Sequence, residues 1–156
     1  MAGTMAFQLF STAFAEGGWM AELHSCQGAD ISPPLEWSGE PAETRSFVLI
    51  VDDLDAPAGT WNHWLLFDIP TKIHNLPQGW KAGGMGVNGT NDFGKRGYCG
   101  PCPPKGHGPH RYYFKLSALG VDSVGLPEGA TRKQLDQAIH GKVLVEARYM
   151  GRFERK

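Results

Sequence analysis

No run of about 18 apolar residues occurs in the 156-residue chain, so nothing in it is long enough to cross a bilayer as a helix. Basic residues are absent before Arg45, which leaves no charged start for a secretory signal. These absences predict a cytoplasmic protein without membrane insertion. Cysteine is scarce: Cys26, Cys99 and Cys102 are too few and too unevenly placed for the disulfide framework of a small secreted domain, and a reducing compartment is expected. Charge of either sign is not in excess, with 15 Lys plus Arg against 16 Asp plus Glu and a net charge of −1. The longest basic runs are Lys95-Arg96 and Arg132-Lys133, so the electrostatic footprint of a nucleic-acid binder is missing. No G-x-S-x-G elbow and no cofactor motif occur either, and the length predicts one domain spanning 1–156.

What the chain does have is glycine and proline, 21 and 11 residues, well above the usual share of about 12%. Ten of those Gly and five of those Pro fall within residues 77–109. That segment keeps no apolar period of 2 or 3.6, and Trp80, Phe93 and Tyr98 within it predict a long but ordered and packed loop.

Around the loop the pattern is mainly β. SFVLIV at 46–51 is a nearly continuous apolar run, as in a strand buried on both faces, and HWLLFDI at 63–69 is a second central strand. Tyr112, Phe114, Leu116 and Ala118 alternate with polar or exposed positions, and so do Val143, Val145, Ala147 and Tyr149. Thr131 with Gln134 forms a capping box ahead of Leu135, Ala138 and Ile139, with Gly141 to end the helix, which places a helix at 131–140. The expected architecture is a mainly β sandwich or layered antiparallel sheet with a helix near its end.

Two clusters could carry chemistry. DDLDAP at 52–57 follows the first apolar strand, and WNHW at 61–64 opens the next. Asp52 and Asp55 read equally well as turn formers, and His63 as a core histidine bonded to a carbonyl. In YCGPCPPKGHGPHRYYF at 98–114, a Gly/Pro run precedes His110 and Tyr112 at the start of a strand. Gly admits close backbone approach, its N–H groups can form an anion-binding concavity, and a nearby imidazole can add charge.

DDLDAP with WNHW, followed by GPCPPKGHGPHRYYFKLSALG, resembles the two signature blocks of the phosphatidylethanolamine-binding protein family, in its bacterial and archaeal YbhB/YbcL-like branch. SPPLEW at 32–37, FGKRGY at 93–98 and the closing helix and strand extend the likeness over nearly the whole chain. The resemblance implies a large antiparallel sheet with a smaller one against it, short helices, and a pocket for phosphate- or carboxylate-like anions. By motif position it implies Asp53 as the pocket aspartate, Pro57 and Trp61 as wall, and His63 as the first histidine. Gly100, Pro101 and Cys102 become the backbone anion site, with His110 the second histidine and Tyr112 the tyrosine. It also implies a cis peptide at Ala56–Pro57.

The function expected on this basis is small-anion binding without catalysis, no cofactor and no metal. A protein partner such as a kinase or protease, and a homodimer, are further expectations from relatives. Two histidines and one aspartate are also the composition of a 2-His-1-carboxylate metal site, which is the enzyme alternative. Cys99-Gly100-Pro101-Cys102 spells the CGPC of dithiol oxidoreductases, but Pro103 and Pro104 follow and no βαβ pattern surrounds it. The two cysteines read first as packed thiols and second as a candidate redox pair whose disulfide stiffens the pocket rim. His107 reads as a solvated loop residue, and His24, His74 and His140 are given no role.

Overall fold

In the computed structural model, which describes residues 6–156, the continuous apolar run becomes the centre of the molecule. Strand β3 (Ser46–Asp53) is buried at all eight positions because each of its faces has its own core. Phe47, Leu49 and Val51 point into one cluster with Leu9, Leu35 and Trp37, whereas Val48 and Ile50 enter another with Leu65, Phe67 and Leu135. The first cluster lies against a small antiparallel sheet of β1 (Gln8–Phe10), β2 (Leu35–Ser38) and β5 (Asn75–Leu76), in the order β1-β2-β5. The large sheet adds β4 (Trp61–Ile69), β6 (Val87–Asn88), β7 (His110–Leu119) and β8 (Val143–Phe153), in the antiparallel order β6-β4-β3-β7-β8. The expected arrangement of a large sheet, a smaller sheet and a late helix is therefore present.

Helix α1 (Arg132–Ile139) covers the second cluster with Leu135, which is wholly buried. Its capping box is complete: the Thr131 hydroxyl accepts from the Gln134 amide at 3.2 Å, and the Gln134 side chain accepts from the Thr131 amide at 2.9 Å. Gly141 follows with φ of 78°, the left-handed exit that glycine adopts without cost. Thr131→Ala is expected to lower stability by about 1 kcal/mol, read as a shift in the urea midpoint, and an unchanged midpoint would show the cap to be idle.

Strand β7 keeps its predicted alternation, with Tyr112, Phe114, Leu116 and Ala118 buried. Strand β8 keeps it only in part. A register shift between Ala118 and Leu119 lets Leu119 pair with Val143, so Leu144 is passed over and Val143 is left exposed. The long loop is ordered as expected, but it is not structureless. It contains β6, which pairs with β4 through Leu66–Asn88 and Phe67–Val87. Buried Asn91 holds its next turn by accepting from the amides of Phe93 (2.9 Å) and Lys95 (3.1 Å) and donating to the Gly97 carbonyl (3.0 Å).

Candidate functional site

The adjoining ends of β3, β4 and β7 bring the two sequence clusters together. Asp53 pairs with Trp61 on one side and Tyr112 on the other, so the end of one strand meets the starts of two neighbours. A cavity of about 290 Å³ opens there, lined by Asp53, Pro57, Trp61, His63, Cys102, His110 and Tyr112, with Phe93, Pro103 and Pro104 on its apolar side. Seven of the nine pocket residues named from sequence thus share one cavity.

His63 reaches the cavity by a bulge. Strict alternation along β4 would set it beside Leu65 and Phe67, facing the helix layer. Between the Val51–Trp64 and Asp52–Asn62 pairs, however, β4 carries one residue more than β3, and that residue is His63. The extra residue turns toward the Tyr112 face, packing edge-on to Tyr112 at 5.2 Å and to Phe93 at 5.3 Å. Bulges next to sites commonly re-aim a side chain in this way.

Both imidazoles are held by their Nδ1 atoms. His63 Nδ1 donates to the Cys99 carbonyl at 2.7 Å, and the His63 carbonyl accepts from the Cys99 amide at 3.1 Å. His110 Nδ1 donates to Asp53 Oδ2 at 2.6 Å, while Asp53 Oδ1 accepts the Asp55 amide at 2.8 Å. Asp53 is therefore turned to its own protein partners and orients His110. Each ring, when neutral, has an unprotonated Nε2 that can accept but cannot donate. Burial pushes the His63 pKa below 6.5, against the opposing pull of the Cys99 carbonyl and Asp53. A histidine whose folded pKa is depressed adds stability that is complete above the unfolded value and fades as pH falls below about 6.5.

Tyr112 is 1% exposed, and its hydroxyl has no protein hydrogen-bond partner. Burial first, and the Asp53 carboxylate second, hold its pKa far above the ordinary value, so it stays a donor. Outside the cavity, Asp55 clamps the β3–β4 loop to β7. Its carboxylate accepts from the Arg111 amide at 2.9 Å and from the guanidinium at 2.9 and 2.8 Å, which lowers its pKa to about 2.

Four expectations are corrected. Gly100 and Pro101 stand behind the wall: the Gly100 amide donates to Asp30 Oδ1 at 2.7 Å, and of the three residues only Cys102 lines the cavity. Cys99 and Cys102 do not pair. Cys102 is bonded to Cys26, with Cα atoms 5.4 Å apart, and Cys99 is free and buried. The cause is a close approach of two loops, since a Cβ at Gly100 would collide with the His24 carbonyl, while the Cys26 amide donates to the Pro101 carbonyl at 3.0 Å. All described peptide bonds are trans, Ala56–Pro57 included. His107 is exposed but not merely solvated, because its Nδ1 lies 2.6 Å from His110 Nε2. Among the described residues no three His, Cys, Asp or Glu side chains converge as metal ligands would, and both oxygens of Asp53 face protein donors.

Two antiparallel sheets with a small, largely apolar pocket floored by paired imidazoles, a carboxylate and a phenol define the class. Residues 10–154 match the model of the phosphatidylethanolamine-binding protein family, and the chain belongs to that family. It is 46% identical to a UPF0098 protein of Aquifex aeolicus, over 99% of this chain and 92% of that one. The crystal structure of the homologue CT736 from Chlamydia trachomatis superposes with a TM-score of 0.90 at 41% identity, covering 97% of this chain and 99% of that one. Escherichia coli YbcL gives a TM-score of 0.90 at 33% identity, covering 96% and 99%.

Proposed function

We propose that the pocket binds a small anionic group of the phosphate or carboxylate type, and that the protein acts through this binding rather than through catalysis. The buried, unpartnered Tyr112 hydroxyl carries the reading, since a donor shut away from water without an acceptor costs about 1–3 kcal/mol unless a ligand supplies one. His63 and His110 become donors at Nε2 once protonated, and Pro57, Trp61, Phe93, Pro103 and Pro104 supply the apolar wall for whatever the anion is attached to. No hydroxyl-, amine- or thiol-type nucleophile of Ser, Thr, Lys or Cys competes with this reading. The cavity lining holds no Ser, Thr or Lys, Cys102 is in a disulfide, and burial raises the pKa of Cys99. A second reading, a kinase or protease held as a protein partner, is favoured by Leu54 and Phe93, exposed at 45% and 39% beside the pocket.

Tyr112 can donate without a change of protonation, but both histidine Nδ1–H groups are already given to protein acceptors, so each histidine joins the site as a donor only by taking up a proton. Sulfate, whose charge is constant near neutrality, is the suitable probe. Its affinity is expected to rise as pH falls, with the His63 contribution appearing below 6.5, and calorimetry in buffers of different ionisation enthalpy should show net proton uptake. Equal affinity at acid and alkaline pH, or binding without proton uptake, would refute the mechanism.

A further inference from the structure

His107 comes from the loop between Cys102 and β7, on a short stretch flanked by two left-handed glycines, Gly106 (φ 75°) and Gly108 (φ 88°). A Cβ at either glycine would meet nothing within 4 Å, and the stretch is held by a Gly106 amide bond to the Arg155 carbonyl and a His107 amide bond to the Pro104 carbonyl. The His107 ring packs at 67° against His110, centroids 4.8 Å apart, with Nδ1 at 2.6 Å from His110 Nε2. Since His110 Nδ1–H is directed at Asp53, the proton between the two rings belongs to His107 Nδ1 when both are neutral. Asp53, His110 and His107 thus form one hydrogen-bonded line from the buried end of β3 to the exposed loop.

We propose that His107 is the gate of the anion pocket: it occupies His110 Nε2, the atom a bound anion needs, and must leave that nitrogen for the anion to be held there. The proposal rests on the anion-binding reading. One added proton turns the line around. His110 then carries both N–H groups, Nδ1–H toward Asp53 and Nε2–H toward His107, whose own proton moves to its outer nitrogen. An arriving anion replaces the His107 nitrogen as acceptor of the charged Nε2–H, the stronger pairing of the two. The other charged or titratable groups around His110 are Asp55 on the β3–β4 loop, paired with Arg111 on β7, His63 on β4 and Tyr112 on its own strand, with Arg155, which follows β8, bonded to the gate loop. With the backbone held by those two bonds, the His107 ring leaves by side-chain rotation, and the space around Gly106 and Gly108 is open.

The test is sulfate titration of the wild-type protein and of His107→Ala and His107→Phe at pH near 6.5. His107 is exposed, so the fold tolerates both changes. His107→Ala is expected to bind sulfate on the order of tenfold more tightly, the size of one hydrogen bond to a charged donor. His107→Phe, which keeps the ring but not the acceptor, should bind at least as tightly as the wild type. Equal or weaker binding by the alanine variant overturns the gate while leaving the anion pocket standing. No binding by any of the three proteins overturns both. A readout without ligand is the 15N signature of His107 at alkaline pH: protonation at Nδ1 is expected, and protonation at the outer nitrogen overturns the shared line.

Discussion

Asp52→Ala should destabilise the fold by about 3 kcal/mol or more, the lower part of the range for breaking a buried ion pair from one side. Asp52 is wholly buried, and its Oδ2 accepts from Lys115 Nζ at 3.0 Å and from Arg132 Nη1 at 3.0 Å. The same Arg132 nitrogen donates to Asn62 Oδ1 at 2.7 Å, while its Nε donates to Asp136 at 2.9 Å. The carboxylate therefore ties α1 to β3, β4 and β7 at once. It sits one residue before Asp53 on the opposite face of the strand, and the anchor on one face positions the pocket on the other. Alanine would leave Lys115, with a side chain only 15% exposed, without its counter-charge, and Arg132, 27% exposed, with Asp136 alone. The cost is held to the lower part of the range because both cations retain some access to water. Urea unfolding is the measurement, and a loss below 1 kcal/mol would show that the ion pairs contribute little. Replacing Asp52 and Arg132 together by leucine should cost less than Asp52→Ala alone, because no member of that pair is then left charged and unpartnered.

The two aspartates illustrate what a sequence can and cannot reveal. An apolar run ending in Asp52-Asp53 announces a strand buried on both faces, and the period of 2 sends the two carboxylates opposite ways. The capping box of α1 is equally legible, because cap and box lie within four residues. His63 is different. Its place in the cavity depends on one extra residue in β4 relative to β3, a property of a pair of strands that no single strand's pattern contains. Val143 fails for the same reason at the other end of the sheet, where the shift against β7 interrupts the alternation. The motif resemblance compensates for His63, since it assigns a position without needing its orientation. It offers no such help for His107, which stands outside the set of pocket positions. The signal available in sequence was its setting, a histidine between two glycines just before the strand that carries His110.

Breaking the Cys26–Cys102 disulfide is expected to have the largest effect of all. The bridge spans 76 positions, and on the chain-entropy account a loop of that length is worth about 4.5 kcal/mol, within the 2–5 kcal/mol commonly found for native disulfides. That is a large share of the 5–15 kcal/mol by which domains are stable. The bridge also holds a pocket wall. Cys102 lines the cavity, the Cys26 amide bonds the Pro101 carbonyl, and the Gly100 amide is fixed by Asp30, so the loop that reaches the pocket is secured to residues 22–30 by three links of which one is covalent. Cys26→Ser should lower the urea midpoint and weaken sulfate binding together, while Cys99→Ala should leave the bridge intact. A thiol count on the aerobic protein unfolded without reductant should find one reactive thiol, that of Cys99. Three reactive thiols would eliminate the disulfide and its effect. Finding one would also remove the support that scarce cysteine gave to a reducing compartment, because persistent disulfides belong to oxidising surroundings or to intracellular proteins of hyperthermophiles. Three cysteines cannot build a framework, but two of them, brought together behind the pocket wall where the glycine at position 100 lets the loops approach, are enough to hold that wall.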